Sequence, residues 1–417
     1  MIGVARSMRA HGDFSKGAPW ALSILACALL TAAPLGAEER VETTVQASVQ
    51  AGAGRTAART TLTLLTVGPG SDMLELWGHS ALCVSSGEFE QGDCYDYGWS
   101  PALDVSKLIF GTLSGEQLFV PTSFPASRML AVYQFRDVWR QKLELDPEQT
   151  DQLLARLRTD VTERRAYAYE PLFDNCTTRL RDALDEVTLG ALRKGANAPD
   201  GAALRTFAEE GLRGRLVPLA ALALGGGARL DRKSSEWDRM AFPIDLMDSI
   251  DKRLNAPRER LFTRLDAPPP TSVHVGRAAL IVFSFVLALF VWRGRKSSLR
   301  VKSGVVGLWL FVLSLVPLAA LTTSLPSLTP SWTLLLLSPT DLLLFAKPSQ
   351  LLRRYATLRA GSSLILGALS ALGVIEQSLV AVSLVVLLPL GSLLLCLELE
   401  PVEQNGRARA ARRSTGP

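Results

Sequence analysis

Near the middle of the chain, "YEPLFDNCTTRLRDAL" sets Cys176 directly behind Asn175 and in front of a helix-like run. A cysteine attacks only as its thiolate, so its ordinary pKa of about 8.5 has to be lowered. A helix N-terminus lowers it, and so does a neighbouring histidine. The run "CTTRLRDALDEV" brings Leu180, Leu184 and Val187 to one helical face, with Asp174 and Asn175 at the cap. The chain has three histidines, His11, His79 and His274. Only His79, in "WGHSALCV", lies well inside the domain that holds Cys176, so it is the candidate base. A base histidine needs an orienting partner on its other nitrogen. Asp96, in "CYDYGW", can supply one from the next expected strand. Plainer readings stand beside these. A buried cysteine is often a small core residue, and a strand histidine is often satisfied locally.

The remaining cysteines are Cys27, Cys83, Cys94 and Cys396. Cys27 falls in an N-terminal apolar run and Cys396 in a C-terminal one. Cys83 and Cys94 flank a ten-residue loop between two expected strands. In an oxidising compartment they either bridge or remain two separate thiols. A bridge leaves Cys176 as the unpaired exported thiol. No CxxC occurs, and histidines and cysteines are too few for a zinc site, so neither metal nor cofactor is expected. The net charge is only +5, and the basic residues gather at the ends of apolar runs. That distribution argues against a nucleic-acid partner.

The apolar residues lie in 17–37 and 278–397, which divides the chain. Residues 1–37 combine basic residues, an apolar run and a small-residue end at Leu35-Gly36-Ala37, the pattern of a signal peptide or of an uncleaved first span. Residues 38–60 are small and polar and read as a linker. Residues 61–273 read as a folded domain, 274–397 as a membrane domain of about five helices, and 398–417 as a basic tail. The five apolar runs are 277–292, 304–322, 331–346, 361–375 and 379–397, several of them short of the ~20 residues of a straight span. Some therefore read equally as re-entrant pairs. "WRGRKSSLRVK" carries five basic residues and no acid, "KPSQLLRRYATLR" four, and the tail "NGRARAARR" four. "TTSLPSLTP" and "IEQS" carry none. The alternation puts the folded domain outside and the tail in the cytoplasm.

Within the domain, "TLTLLTV", "LWGHSALCV", "CYDYGW" and "RDVWRQKLELD" read as strands. "TSFPASRMLAVYQF" reads as a helix. "PEQTDQLLARLRTDVTERR" reads as a second, opened by Pro147, with Leu153, Leu154, Leu157 and Val161 on one face. The class is α+β, a small antiparallel sheet with packed helices.

The ordered set "WGHSALCV…CYDYGW…FGTLSG…LELDPEQ…YAYEPLFDNCTTRLRD…LGGGARLDRKSSEWDRMAFPIDL" resembles the exported domain of the bacterial Lnb-type lipoprotein N-acyltransferases. "LTPSWTLLLLSPTDLLLF" resembles that family's membrane half. The resemblance implies a permuted papain-like thiol fold, akin to NlpC/P60 and lecithin–retinol acyltransferases, with Cys176 as nucleophile, His79 as base and Asp96 as possible orienter. It implies an acyl group moved from a membrane phospholipid, through a Cys176 thioester, to the α-amino group of a diacylglyceryl lipoprotein at a bacterial inner membrane. Asn175, Thr177 and Arg179 are candidate substrate or oxyanion residues. Two rivals remain: a membrane-anchored thiol hydrolase (a phospholipase or cell-wall amidase), and a non-enzymatic transport or sensor component.

Overall fold

The computed structural model describes residues 60–399, apart from 71–74, 102–110, 112, 113, 116, 266–271, 295, 296, 324 and 330. The expected leader, most of the linker and the tail from residue 400 lie outside the described residues.

Ten strands are described: β1 Thr61–Val67, β2 His79–Ser85, β3 Asp93–Asp96, β4 Leu118–Phe119, β5 Thr122–Pro125, β6 Val138–Leu143, β7 Tyr167–Ala168, β8 Pro199–Ala203, β9 Lys233–Ser235 and β10 Arg258–Phe262. Six of them form one antiparallel sheet in the order β10-β6-β1-β2-β3-β5. The domain helices are α1 Ala126–Tyr133, α2 Pro147–Thr162, α3 Cys176–Val187, α4 Leu204–Gly211, α5 Leu216–Gly225, α6 Glu236–Arg239 and α7 Pro243–Arg253.

The alternation of β1 sorts the core. Leu62 and Leu64 face α2, α3 and α7, where Leu153, Leu157, Leu180, Leu184 and Ile250 are buried. Leu65 and Val67 face the other way, onto Met129 and Tyr133 of α1. The α2 face at Leu153, Leu154 and Leu157 is the one its periodicity predicts. Its cap is a reciprocal pair, with Asp146 accepting from the Gln149 N–H and Gln149 accepting from the Asp146 N–H.

Three element boundaries differ from the sequence reading. The stretch 122–135 is not one helix, since Thr122–Pro125 is an edge strand on β3 and α1 starts at Ala126. Pro125 disfavours helical backbone at Phe124, and β3 offers an open edge there. β2 starts at His79, because Gly78 turns the chain at a φ of 96°. A Cβ at Gly78 would lie 2.4 Å from the Val67 carbonyl oxygen. β3 ends at Asp96, with Tyr97-Gly98-Trp99 outside the strand.

Cys83 and Cys94 are cross-strand partners and are disulfide-bonded. By strand alternation, His79 and Cys83 share one face of β2, and Cys94 and Asp96 share that same face of β3. The bridge thus holds the register of the two strands that carry His79 and Asp96.

The C-terminal region holds α8 Val275–Arg293, α9 Leu299–Ala320, α10 Thr333–Leu336, α11 Gln350–Ala371 and α12 Val380–Leu399. Among the described residues three helices, α8, α9 and α12, are long and apolar enough to cross a membrane. The run 331–346 is instead split between α10 and a 3-10 stretch, Pro339–Phe345. The split has a side-chain partner. Arg359 of α11 donates to both Asp341 oxygens at 2.9 Å, and to the carbonyls of Leu335 and Leu336 at 2.8 and 2.5 Å. The Tyr355 hydroxyl adds a bond to Asp341 at 2.8 Å. Backbone freed by the break is thereby satisfied inside the protein.

The two connections without basic residues meet the folded domain. The Gly227 N–H donates to the Ser327 carbonyl at 2.9 Å, and Gln377 Nε2 donates to the Gly226 carbonyl at 2.8 Å.

Candidate functional site

Cys176 opens α3. The chain enters it extended at Asn175, whose Oδ1 accepts the N–H groups of Thr177 and Thr178, both at 2.9 Å. Thr178 Oγ1 accepts the Asn175 N–H at 2.7 Å, which completes a capping box. The Asn175 amide also donates to the carbonyls of Pro171 and Ala241, at 2.7 and 3.0 Å. Every polar group of the Asn175 side chain is thus committed to the turn that presents the sulfur. Thr177 Oγ1 donates to Ser80 Oγ at 3.3 Å, which ties α3 to β2 one residue beyond His79. Arg179 grips Asp174 through two 2.6 Å bonds, and its guanidinium lies 4.2 Å over the Tyr167 ring.

His79 stands between sulfur and carboxylate. Its Nδ1 is 3.4 Å from Cys176 Sγ, and its Nε2 is 3.1 Å from Asp96 Oδ1. The second contact is within ion-pair distance, yet the ring nitrogen makes no aligned hydrogen bond. Asp96 Oδ1 also accepts the Gly98 N–H at 2.6 Å. All three side chains are nearly enclosed, with Cys176 5%, Asp96 7% and His79 8% exposed.

The three charges support one another. Burial opposes an imidazolium, but the Asp96 carboxylate, helped by Tyr133 and Cys176, holds the His79 pKa well above the usual histidine value. Burial likewise opposes a thiolate, but the field and hydrogen bond of His79 pull the Cys176 pKa below the ordinary thiol value. Burial opposes the Asp96 charge as well, and His79 draws its pKa below the usual carboxylate range. An arrangement of this kind favours thiolate and imidazolium together, a nucleophile beside a proton donor.

The structure therefore brings His79, Asp96 and Cys176 together across 97 residues of chain. It places Asn175 and Thr177 in the cap and Arg179 on Asp174, with their polar groups engaged there.

Three neighbours escaped the sequence reading. A Cβ on Gly98 would lie 2.7 Å from His79 Cε1, so only glycine lets the backbone approach the ring this closely. The Tyr133 ring lies 5.9 Å from the imidazole, tilted by 36°. Tyr169 stacks on Phe119 at 4.3 Å. Burial, then the fields of Cys176, Glu170 and Asp96, and a hydrogen bond to Cys176 hold its phenol pKa well above the ordinary tyrosine value. Gly98 was visible only as part of "YDYGW"; nothing local in sequence marks Tyr133 or Tyr169.

An α+β domain that presents a capped cysteine to a histidine–aspartate pair, and continues into apolar helices, defines a thiol-site domain of a membrane protein. Residues 53–204 match the family model described as the Lnb N-terminal periplasmic domain, and that stretch belongs to this family. The matched stretch contains His79, Asp96 and Cys176. No curated protein and no solved structure matches the chain. The Lnb resemblance read from the motifs thus holds over residues 53–204, while the motifs at 224–246 and 328–345 lie beyond the matched stretch.

Proposed function

We propose that the chain is a cysteine-dependent phospholipid:lipoprotein N-acyltransferase of a bacterial inner membrane. The observation that carries this reading is the placement of His79 between Asp96 and a Cys176 that opens a capped helix, all inside the Lnb-type stretch. The domain, with histidine ahead of cysteine in the chain, is read as a permuted papain-like fold. It stands on the periplasmic side, and the basic connections face the cytoplasm.

The reaction runs in two halves. The Cys176 thiolate attacks an ester carbonyl of the phospholipid, and negative charge moves to the carbonyl oxygen. The Cys176 N–H, which the Asn175 side chain does not engage, stabilises that oxygen at the start of α3, where the helix dipole adds to it. As the C–O bond breaks, the leaving alkoxide takes the proton from His79 Nδ1. Lysophospholipid departs, and the acyl group remains on Sγ as a thioester. The α-amino group of the diacylglyceryl-cysteine then attacks the thioester and gives a proton to neutral His79. The C–S bond breaks, an amide forms, and thiolate and imidazolium are restored. Asp96 holds the ring and balances its charge throughout.

Enclosure of the triad supports transfer over hydrolysis, because a thioester held there is shielded from bulk water. Tethering to apolar helices keeps the thiol beside two lipid-anchored substrates. Mass spectrometry of a lipoprotein's N-terminal peptide tests the reading. The peptide is expected to carry an N-linked acyl chain with the wild-type protein and to lack it with Cys176→Ala. Equal N-acylation in both would reject the assignment.

A further inference from the structure

The helix α5 reads "LVPLAALALG" and carries no polar side chain. A helix that is apolar all round is normally buried all round. Here Leu219, Ala223, Leu224 and Gly225 are buried, while Leu216 is 50% and Val217 61% exposed, with Ala221 exposed on the same side.

The buried side fixes where the open side must lie. A Cβ on Gly276, the second residue of α8, would lie 2.4 Å from the Ala220 nitrogen, so α5 and α8 touch backbone to backbone. A Cβ on Gly225 would meet Val316 of α9 at 3.2 Å. Gly226, just past α5, accepts from Gln377 in the connection before α12. Gly276 lies at the start of α8, Val316 near the end of α9 and Gln377 before the start of α12, so α5 crosses the ends of three spans on one side. Of these, α8 exposes Val282, Phe283, Phe285 and Val286, the kind of surface that lipid covers. The open face of α5 lies on the helix that touches the start of α8.

α5 also reaches the catalytic turns. Trp77, two residues before His79, packs with Leu172, Phe242 and Leu222 in one cluster and with Leu212, Leu219 and Val275 in another. Its indole N–H donates to the Phe207 carbonyl of α4 at 3.1 Å. The turns before His79 and Cys176 therefore rest on α4 and α5. An Arg277–Glu209 ion pair fastens α4 to α8.

We propose that α5 lies in the outer leaflet of the bilayer as an interfacial helix, with Leu216, Val217 and Ala221 turned into lipid. It holds the Cys176 end of the domain against the membrane. Its occupant is the boundary between glycerophospholipid headgroups and acyl chains, where a helix lying in the plane buries an apolar face; the opposite side of α5 is covered by the protein itself. The proposal does not depend on which reaction Cys176 performs.

The test uses the full chain with Cys27, Cys176 and Cys396 replaced by serine, reconstituted in phosphatidylcholine–phosphatidylglycerol vesicles. A nitroxide is placed at Val217→Cys, with Phe283→Cys as the lipid-facing control. Leu189→Cys is the solvent control, 92% exposed and two residues beyond the far end of α3, a helix about 18 Å long that starts at Cys176. Collision of the label with oxygen and with a water-soluble nickel chelate is then measured. The label at Val217 is expected to match Phe283, accessible to oxygen and shielded from nickel. Nickel accessibility equal to that at Leu189 would overturn the proposal. Shielding from both reagents would overturn it too, since a second copy of the chain, and not lipid, would then cover the face.

Discussion

Two buried charge clusters, one in each half of the molecule, stand in opposite condition. In the membrane half, Asp341 is wholly buried, and each of its oxygens is held by Arg359, with Tyr355 added on Oδ1. Arg359 also donates to two carbonyls of a broken helix. In the exported domain, His79 has sulfur on one side at 3.4 Å and a carboxylate on the other, without an aligned bond. The first cluster is saturated and holds backbone in place. The second is left slack, with a nucleophile and a movable proton. A buried pair whose partners are all satisfied has nothing to offer a substrate, whereas slack geometry that tightens on binding is what an acid–base pair needs.

The largest effect should come from the slack cluster. His79→Ala is expected to keep the fold and to slow acylation of Cys176 by about 10²–10⁴-fold, read as the rate of acyl-label capture from phospholipid. Capture at the wild-type rate would move the base elsewhere.

The saturated cluster should answer in stability instead. Arg359→Ala leaves Asp341 buried without its partner and is expected to cost about 3–5 kcal/mol in unfolding of the purified protein. Replacing both residues, as Asp341→Leu with Arg359→Met, should recover much of that loss. An unchanged midpoint in the single variant would mean the pair is not structural.

Between these extremes lies Gly98→Ala. The added Cβ must displace the imidazole, since it would stand 2.7 Å from Cε1. A shift of about 1 Å at the reacting group is worth roughly 10²-fold, so capture should slow with little change in melting. Removing the bridge as Cys83→Ser with Cys94→Ser should do the converse. A loss of about 2–4 kcal/mol is expected, by the usual worth of such a link. Activity should survive wherever the domain stays folded.

The smallest effect is a shift along the pH axis. The folded His79 pKa is raised, so the imidazolium and the stability tied to it are present at low pH and lost as pH rises through the folded value. The folded Cys176 pKa is lowered, so thiolate stabilisation is present at high pH and lost as pH falls through the folded value. Asp96→Asn removes the carboxylate that raises His79. The alkaline limb of the capture profile should therefore move to lower pH, while a shift to higher pH would contradict the role given to Asp96.

The same contrast explains what the sequence made legible. Cys176, Asn175 and the helix behind them form a local pattern, and local patterns can be read. Only His79 lay well inside the exported domain, so residue type alone singled it out as the base. Asp341 is the one acid in the run 331–346, and Arg359 falls in the basic connection after that run. Its true role depends on a helix starting at Gln350 and turning it inward. β10 was missed because "RERLF" has only two apolar residues and gains its place by pairing with β6. Gly98 and Tyr133 act through contacts with a residue far off in the chain, which no spacing rule reports.

The central claim is that Cys176 takes an acyl group from a phospholipid, and the thioester itself is the most direct witness. Purified full-length protein is incubated with acyl-labelled phospholipid and no lipoprotein, and the peptide containing Cys176 is weighed by mass spectrometry. One acyl chain on Sγ is expected, released by hydroxylamine and discharged to the amine of an added diacylglyceryl-cysteine peptide. Absence of the adduct, or discharge to water alone with the peptide present, would contradict the account.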